Sequence, residues 1–297
     1  MTERLAEIGV RINGVGQLGA VVNAMRGIAA ARVQQARSQL VAVDSYAATI
    51  AAAIGRALAL VPAARPEGTP RSGRRALVLF CAEQGFAGAF SERVLDTVGG
   101  DLSTSELFMI GTRGSVAAAA RGVMVGWKSA MPSHSPGIPK LADKIVEALY
   151  VRIATGQIDR LDAVFSQSQP ARKTHVERRR LFPLDMTQFP NPTDANAPVV
   201  NLAPVVLLSE LTADYLHAQL CKAALHAFAA ENEARMDAMA VTRNQIERQL
   251  SSLRATQRLV RQEEITEEII ELAAGETASR SGYARGRNAS NLANKPA

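Results

Sequence analysis

The residues able to do chemistry in this chain are few and dispersed. Its four histidines, His134, His175, His217 and His226, show no H-x3-H or H-E-x-x-H spacing that would bring two ring nitrogens to one metal. Cys81 and Cys221 lie far apart and neither belongs to a C-x-x-C pair, so a structural zinc site is not expected. Two lone thiols suit a reducing compartment. No serine occupies a G-x-S-x-G elbow, and nothing in the sequence favours a catalytic triad. Gly85-Phe86-Ala87-Gly88 and Gly111-Thr112-Arg113-Gly114 each follow an apolar run, where a phosphate cradle could sit. Neither matches G-x-G-x-x-G or G-x-x-x-x-G-K-[ST], so both are read as tight turns from strand to helix. The paired acids Glu263-Glu264 and Glu267-Glu268 read as a solvated helix face. Arg178-Arg179-Arg180, with Arg172 and Lys173, is a basic cluster without interleaved aromatics. It reads as an exposed strand rim or the seat of an acidic protein partner, ahead of lipid or nucleic-acid phosphates. Arg26, Arg32 and Arg37 give the N-terminal segment one basic flank. No catalytic, cofactor-binding or metal-binding set is therefore assigned.

The elements carrying these residues follow from periodicity. Across 297 residues, 47% apolar and 21% charged is a globular balance, and 4% aromatic with abundant alanine suits long helices. A net charge of +6 is too small to argue for nucleic acid. Residues 1–60 read as one helix, with a seam at Leu5, Ile8, Ile12, Val15, Leu18, Val22, Met25 and Ala29. The glycines at 9, 14, 16, 19 and 27 each cost such a helix about 1 kcal/mol. Residues 61–73 form a Pro-rich linker. Within 74–186, apolar runs at 76–81, 107–110, 123–127, 161–165 and 176–182 read as strands alternating with helices, which predicts a small open α/β sheet. A second Pro-rich linker covers 187–204. Residues 205–274 read as a second long helix, about 100 Å at 1.5 Å per residue. Its seam runs through Met236, Met239, Ile246, Leu250, Leu253 and Val260, with Arg243 and Gln257 interrupting. A helix of this length needs a partner stripe, which the N-terminal helix supplies as an antiparallel coiled coil. Residues 275–297 are polar and Gly-rich and read as a disordered tail. The first residues do not form a secretory signal, and the longest near-apolar stretch, between Asp44 and Arg56, falls short of the ~20 residues of a membrane helix.

Four segments carry a family resemblance. Val22-Asn23-Ala24-Met25-Arg26-Gly27-Ile28-Ala29-Ala30-Ala31-Arg32 resembles the T-K-A-M-[KE]-M-V-A-A-[AS]-K stretch of the γ subunits of F-type ATP synthases. Residues 82–90 are similar to that family's S-D-R-G-L-C-G-G-F loop, and residues 229–239 to its A-S-E-x-A-A-R-M-x-A-M segment. Residues 261–275 resemble its C-terminal signature, I-T-x-E-x-x-[DE]-x-x-x-G-A, up to Glu276, where alanine is usual. Arg26-Gly27, Ala87 and the stretch past Gly275 depart from the family pattern, marking a divergent member. The resemblance implies an antiparallel coiled coil of terminal helices around an inserted Rossmann-like domain. It further implies a non-catalytic rotor shaft, one copy per complex, inside a hexameric head of α and β subunits. The other implied partners are an ε subunit and a membrane c-ring, with the complex coupling ion flow to ATP synthesis or hydrolysis. The implied location is peripheral, on the cytoplasmic side of a bacterial inner membrane. By position, Met25, Arg26, Arg235, Arg261, Gln262, Thr266 and Glu268 are the expected rotor–stator contacts. Proton coupling is the first expectation, and an alternative F-type ATPase exporting sodium or protons the second. Two rivals lie outside the family: a nucleotide-binding α/β enzyme with helical arms, and a coiled-coil scaffold with no rotary role.

Overall fold

The computed structural model describes residues 2–61, 74–169, 172–190 and 199–292. Two long helices, α1 (Thr2–Leu58) and α6 (Pro204–Leu292), flank a five-stranded sheet. The chain divides into two compact units, Met1–Ala24 with Val241–Ala297, and Met25–Ala240.

The larger unit holds the sheet. Its strands are β1 (Arg74–Phe80), β2 (Glu106–Ile110), β3 (Trp127–Ser129), β4 (Ile158–Gln169) and β5 (Arg172–Phe182), in the order β3-β2-β1-β4-β5. The first four are parallel and β5 returns antiparallel to β4. Helices α2 (Phe90–Val98), α3 (Asp101–Thr104), α4 (Thr112–Ala120) and α5 (Ile138–Ala154) fill the connections. Parallel strands joined by helical crossovers are covered on both faces, so β1 and β2 are apolar without alternation. One face sets Ala76, Val78, Phe80, Phe108, Leu161 and Phe165 against Leu141 and Ile145 of α5 and Leu220, Ala224 and Phe228 of α6. The opposite face sets Leu77, Leu79, Met109 and Val164 against Val94 and Leu95 of α2 and Ala118 of α4.

The third strand lies later than expected. Residues 123–125 are unpaired in the ladder, and pairing with β2 begins at Trp127. Val123 and Val125 are apolar because they pack on the second core face, not because they belong to a strand. The segment 187–190 is likewise no free linker. Phe189 is buried against Ile50 and Ile54 and meets Tyr215 edge-on at 5.2 Å. Gly55 allows this approach, because a Cβ there would overlap the carbonyl oxygen of Pro190 and lie 3.1 Å from its carbon. Residues 62–73 and 191–198 of the two expected linkers lie outside the described residues.

In the smaller unit, the N-terminal part of α1 pairs with α6. The seam differs from expectation at two positions. Leu18 is exposed and Gly19 faces the partner, where a Cβ would sit 3.4 Å from Ile246 Cγ2. On α6, Arg243 is exposed and Thr242 takes the half-buried position. Both shifts keep the alternation of three- and four-residue steps that a two-helix seam imposes, at the expense of the more apolar or longer side chain. The expected tail also differs, since α6 continues to Leu292. No proline interrupts it before Pro296, and the glycines lower helix propensity without forbidding a helix. Finally, α1 contains an 18-residue window apolar enough, by length and composition alone, to cross a membrane. Alanine and glycine dilute the charges of α1 far enough to extend the apolar stretch beyond that foreseen at 44–56.

Candidate functional site: the joint at the strand ends

In an open parallel sheet the ligand crevice lies beyond the carboxyl ends of the strands. Here that position belongs to the chain's own side chains. The backbone after β1 is held by Cys81 N–H donating to Ile110 O at 2.8 Å, and by Ala82 N–H donating to Ser91 Oγ at 3.2 Å. Gly111, at φ 102°, and Gly114 let the start of α4 press on this segment. A Cβ on Gly111 would lie 2.7 Å from Ala82 O, and one on Gly114 would lie 2.8 Å from Cys81 Sγ. These glycines serve close packing, in agreement with their reading as tight turns.

Glu83 then fills the place a phosphate would take at a helix N-terminus. Its carboxylate accepts from Thr112 N–H (3.0 Å) and Thr112 Oγ1 (2.7 Å) at the start of α4, and from Met131 N–H (2.9 Å) just after β3. The loop itself is gripped by α6. Glu231 accepts from the N–H groups of Glu83 (3.2 Å) and Gln84 (3.1 Å) and pairs with Arg235 one turn on. Arg235 donates to Gly85 O at 3.2 Å and to Asn232 Oδ1 at 2.8 Å, and Asn232 donates to Phe228 O at 2.8 Å. Arg32 of α1 reaches Gln84 at 3.3 Å, and Arg37 pairs with Glu233 at 2.6 Å. Glu231 and Arg235 are only 3% and 4% exposed. Burying two charges costs several kcal/mol unless their remaining donors and acceptors are used, as they are here. The cavity left between these groups is about 10 Å³, room for about one water and none for a nucleotide. That argues against the nucleotide-binding reading.

The expected contact residues divide. Arg26 is exposed and Met25 half-buried on α1. Arg261, Gln262, Thr266 and Glu268 are exposed on neighbouring turns of α6, where Thr266 Oγ1 donates to Gln262 O at 2.8 Å. Arg235 does not join them, because its guanidinium is committed inside the larger unit. Its i,i+4 spacing from Glu231 resembles an ordinary surface pair, but its guanidinium bonds to a loop 150 residues away. Ala29, placed on the seam by periodicity, is buried at 1% exposure.

Two residues of the basic cluster, Arg178 and Arg179, find their partners within the chain. Arg178 donates to Asp101 (2.6 Å) and Asp162 (2.9 Å), Arg160 pairs with Asp162 (3.3 Å) and Arg75 with Asp101 (2.9 Å). The bond from Arg178 holds the Asp101 carboxyl below the usual range. Arg179 pairs with Glu177 and lies over the Phe165 ring at 5.4 Å. The histidines stay apart. His217 meets Asp143 at 3.0 Å, while His226 is buried and stacked on Phe165 at 5.9 Å. Burial first, then Lys222 and Arg179, pushes its pKa down to about 4. Burial likewise pushes the thiols of Cys81 and Cys221 up to about 12, so neither is a ready nucleophile. Among the described residues no group of three or more His, Cys, Asp or Glu is placed to hold a metal.

Glu83 and Glu231 are the residues that sequence reasoning missed. A signal existed in an acid directly after a strand and before a Gly-rich turn, and in an acid–arginine i,i+4 pair inside an apolar helical run.

Comparison with known proteins agrees with this architecture. A family model described as ATP synthase matches residues 4–278. The ATP synthase gamma chain of Frankia casuarinae is 27% identical over 298 residues, covering 95% of this chain and all of that one. The gamma chain of Pelodictyon phaeoclathratiforme is 23% identical over 290 residues, covering 92% and 98%. In fold, the chain is similar to one in the cryo-EM structure of the Euglena gracilis mitochondrial ATP synthase (OSCP/F1/c-ring), with a TM-score of 0.64 at 11% identity, covering 95% and 97%. The match spans nearly all of the sequence, the two long helices and the inserted sheet together, and by it this chain belongs to the ATP synthase family, among the gamma chains.

Proposed function

We propose that this chain is the central rotor shaft of an F-type ATP synthase. The observations that carry this are the pairing of α1 with α6 in one unit and, in the other, an α/β layer whose ligand crevice is closed by its own side chains. Such a chain has the form of a mechanical part. It sits as one copy in a head of α and β subunits, with an ε subunit and a c-ring as its other partners. Its rotation takes the catalytic sites on the β subunits through different affinities, and the chain itself makes and breaks no covalent bond. It lies peripherally on the cytoplasmic side of a bacterial inner membrane, in a complex coupled to protons. Met25, Arg26, Arg261, Gln262, Thr266 and Glu268 are the rotor–stator contacts in this reading. The exposure of the five polar ones supports it, since a guanidinium free of intramolecular partners can grip a passing carboxylate bidentately. Reconstitution tests the function. Adding the purified chain to isolated α and β subunits raises ATPase activity, and millimolar ATP or NAD gives the chain alone no thermal shift. No gain in ATPase defeats the rotor reading, and a clear shift revives the enzyme reading.

A further inference from the structure

Two of the family-like segments, residues 82–90 and 229–239, are far apart in sequence and meet in one place. Their meeting point is the Glu83–Glu231–Arg235 network. We infer that this network is the torque-bearing tie between helix α6 and the α/β layer, an inference that rests on the rotor reading above.

Helix α6 meets the sheet through apolar contact, by Leu220 and Phe228 and by the small Ala223, Ala224 and Ala227. Apolar contact is non-directional, so it resists separation better than sliding. A turning load on a helix is a sliding load on its neighbours. Hydrogen bonds to charged groups are directional and are the stronger kind. Here they run from Glu231 to the Glu83 and Gln84 amides and from Arg235 to Gly85 O. Glu83 then passes the load onward to Thr112 at the start of α4 and to Met131 after β3. The tie therefore reaches the loops after β1, β2 and β3, all three successive strand ends, and not one flexible turn. Burial of Glu231 and Arg235 shields their bonds from competing water, while the Glu83–Thr112 bonds lie nearer the surface. Glu83, Glu231 and Arg235 are thus positioning residues for rotation rather than contacts with the head.

The experiment uses the assembled complex of this chain with α, β and ε subunits. The head is fixed to glass and stalled with a non-hydrolysable ATP analogue. A bead is attached through Met124→Cys, a site 88% exposed on the α/β layer. Selective labelling is possible because Cys81 and Cys221 are buried. The angular variance of the stalled bead reads torsional stiffness. Arg235→Met and Glu231→Gln each raise it about twofold, and the double variant raises it no further, because the pair acts as a unit. Arg235→Lys, which keeps the charge beside Glu231, gives an intermediate value. Arg121→Met, which breaks an exposed pair with Asp96 on the same layer, leaves it unchanged. ATP hydrolysis by all variants stays near wild type, which a general loss of folding would not allow. Wild-type variance in assembled Arg235→Met and Glu231→Gln complexes overturns the inference. If Arg235→Met fails to assemble, Arg235→Lys and Glu83→Gln decide in the same way. A wild-type chain that never joins α and β subunits refutes the rotor reading itself, a distinct failure.

Discussion

Gly55 and Gly19 both interrupt α1, yet alanine at the two sites is predicted to change stability in opposite directions. Replacing a helical glycine by alanine gains at most about 1 kcal/mol in helix propensity. At Gly19 nothing opposes this gain strongly, because the new Cβ would sit 3.4 Å from one methyl group of Ile246. At Gly55 the new Cβ would overlap a backbone carbonyl, that of Pro190, with its carbon at 3.1 Å. Backbone cannot swing aside as a side-chain tip can, so the segment must move by about 1 Å, and overpacking of this kind costs about 1–3 kcal/mol. Phe189, only 5% exposed, moves with it, putting part of the ~1.5–3 kcal/mol of a buried phenylalanine at risk. The net expectation is about 1–2 kcal/mol of destabilisation for Gly55→Ala and about 0.5–1 kcal/mol of stabilisation for Gly19→Ala. Urea unfolding separates the two. Trp127, the single tryptophan, lies in the unit that holds Gly55, whereas helical ellipticity reads both units, so an ellipticity midpoint that moves without the Trp127 midpoint marks the unit that holds Gly19. A Trp127 midpoint for Gly55→Ala at or above that of wild type would refute the Pro190 contact and the anchoring role given to Phe189.

Arg235→Met leaves Glu231 buried with only two amide partners and is expected to cost about 3 kcal/mol by Trp127-detected urea unfolding, whereas Arg121→Met at the exposed Asp96 pair costs under about 1 kcal/mol. Stability should also fall in mild acid through His226. Its folded pKa of about 4 lies below the ordinary 6.5, so the unfolded chain takes up a proton first as the pH drops. The contribution is complete above pH 6.5 and is lost as the pH falls towards 4, no more than about 2 kcal/mol being gone by pH 5. His226→Phe, which keeps a ring against Phe165, should flatten the urea-midpoint profile between pH 7 and 5, and an unchanged slope would assign it to other groups. Cys81 and Cys221 should resist a maleimide at neutral pH in the native chain and react fully in urea, because both are buried with pKa values of about 12.

Much of the fold is visible in the sequence because its elements obey simple periods. Strands buried on both faces read as apolar runs, which located β1, β2 and β4, and the three-four alternation located the long helices. The misplacements have specific causes. Apolarity picked Leu18 over Gly19 at the seam, although helix geometry selects a position and not a hydropathy. Val123 and Val125 carry a strand's composition while packing outside the ladder. Phe189 sits among prolines and polar residues that look like a linker, and its burial depends on Gly55 in a distant helix. The site was the least visible part. Arg235 sits in a pattern that on most helices marks a surface pair, and its partners come from a loop that sequence spacing cannot bring near. The exposed residues Arg261, Gln262, Thr266 and Glu268 make few contacts within the chain, so the contact role proposed for them rests on what meets them from outside.

The proposed function makes this chain the single shaft of a rotary complex. Its most direct test is to tag the chain, solubilise native membranes gently, and determine the stoichiometry and ATPase activity of what co-purifies. A rotor shaft brings down active ATPase with α and β subunits at about three each per tagged chain. Recovery of the chain alone, or with unrelated proteins and no ATPase, would contradict it.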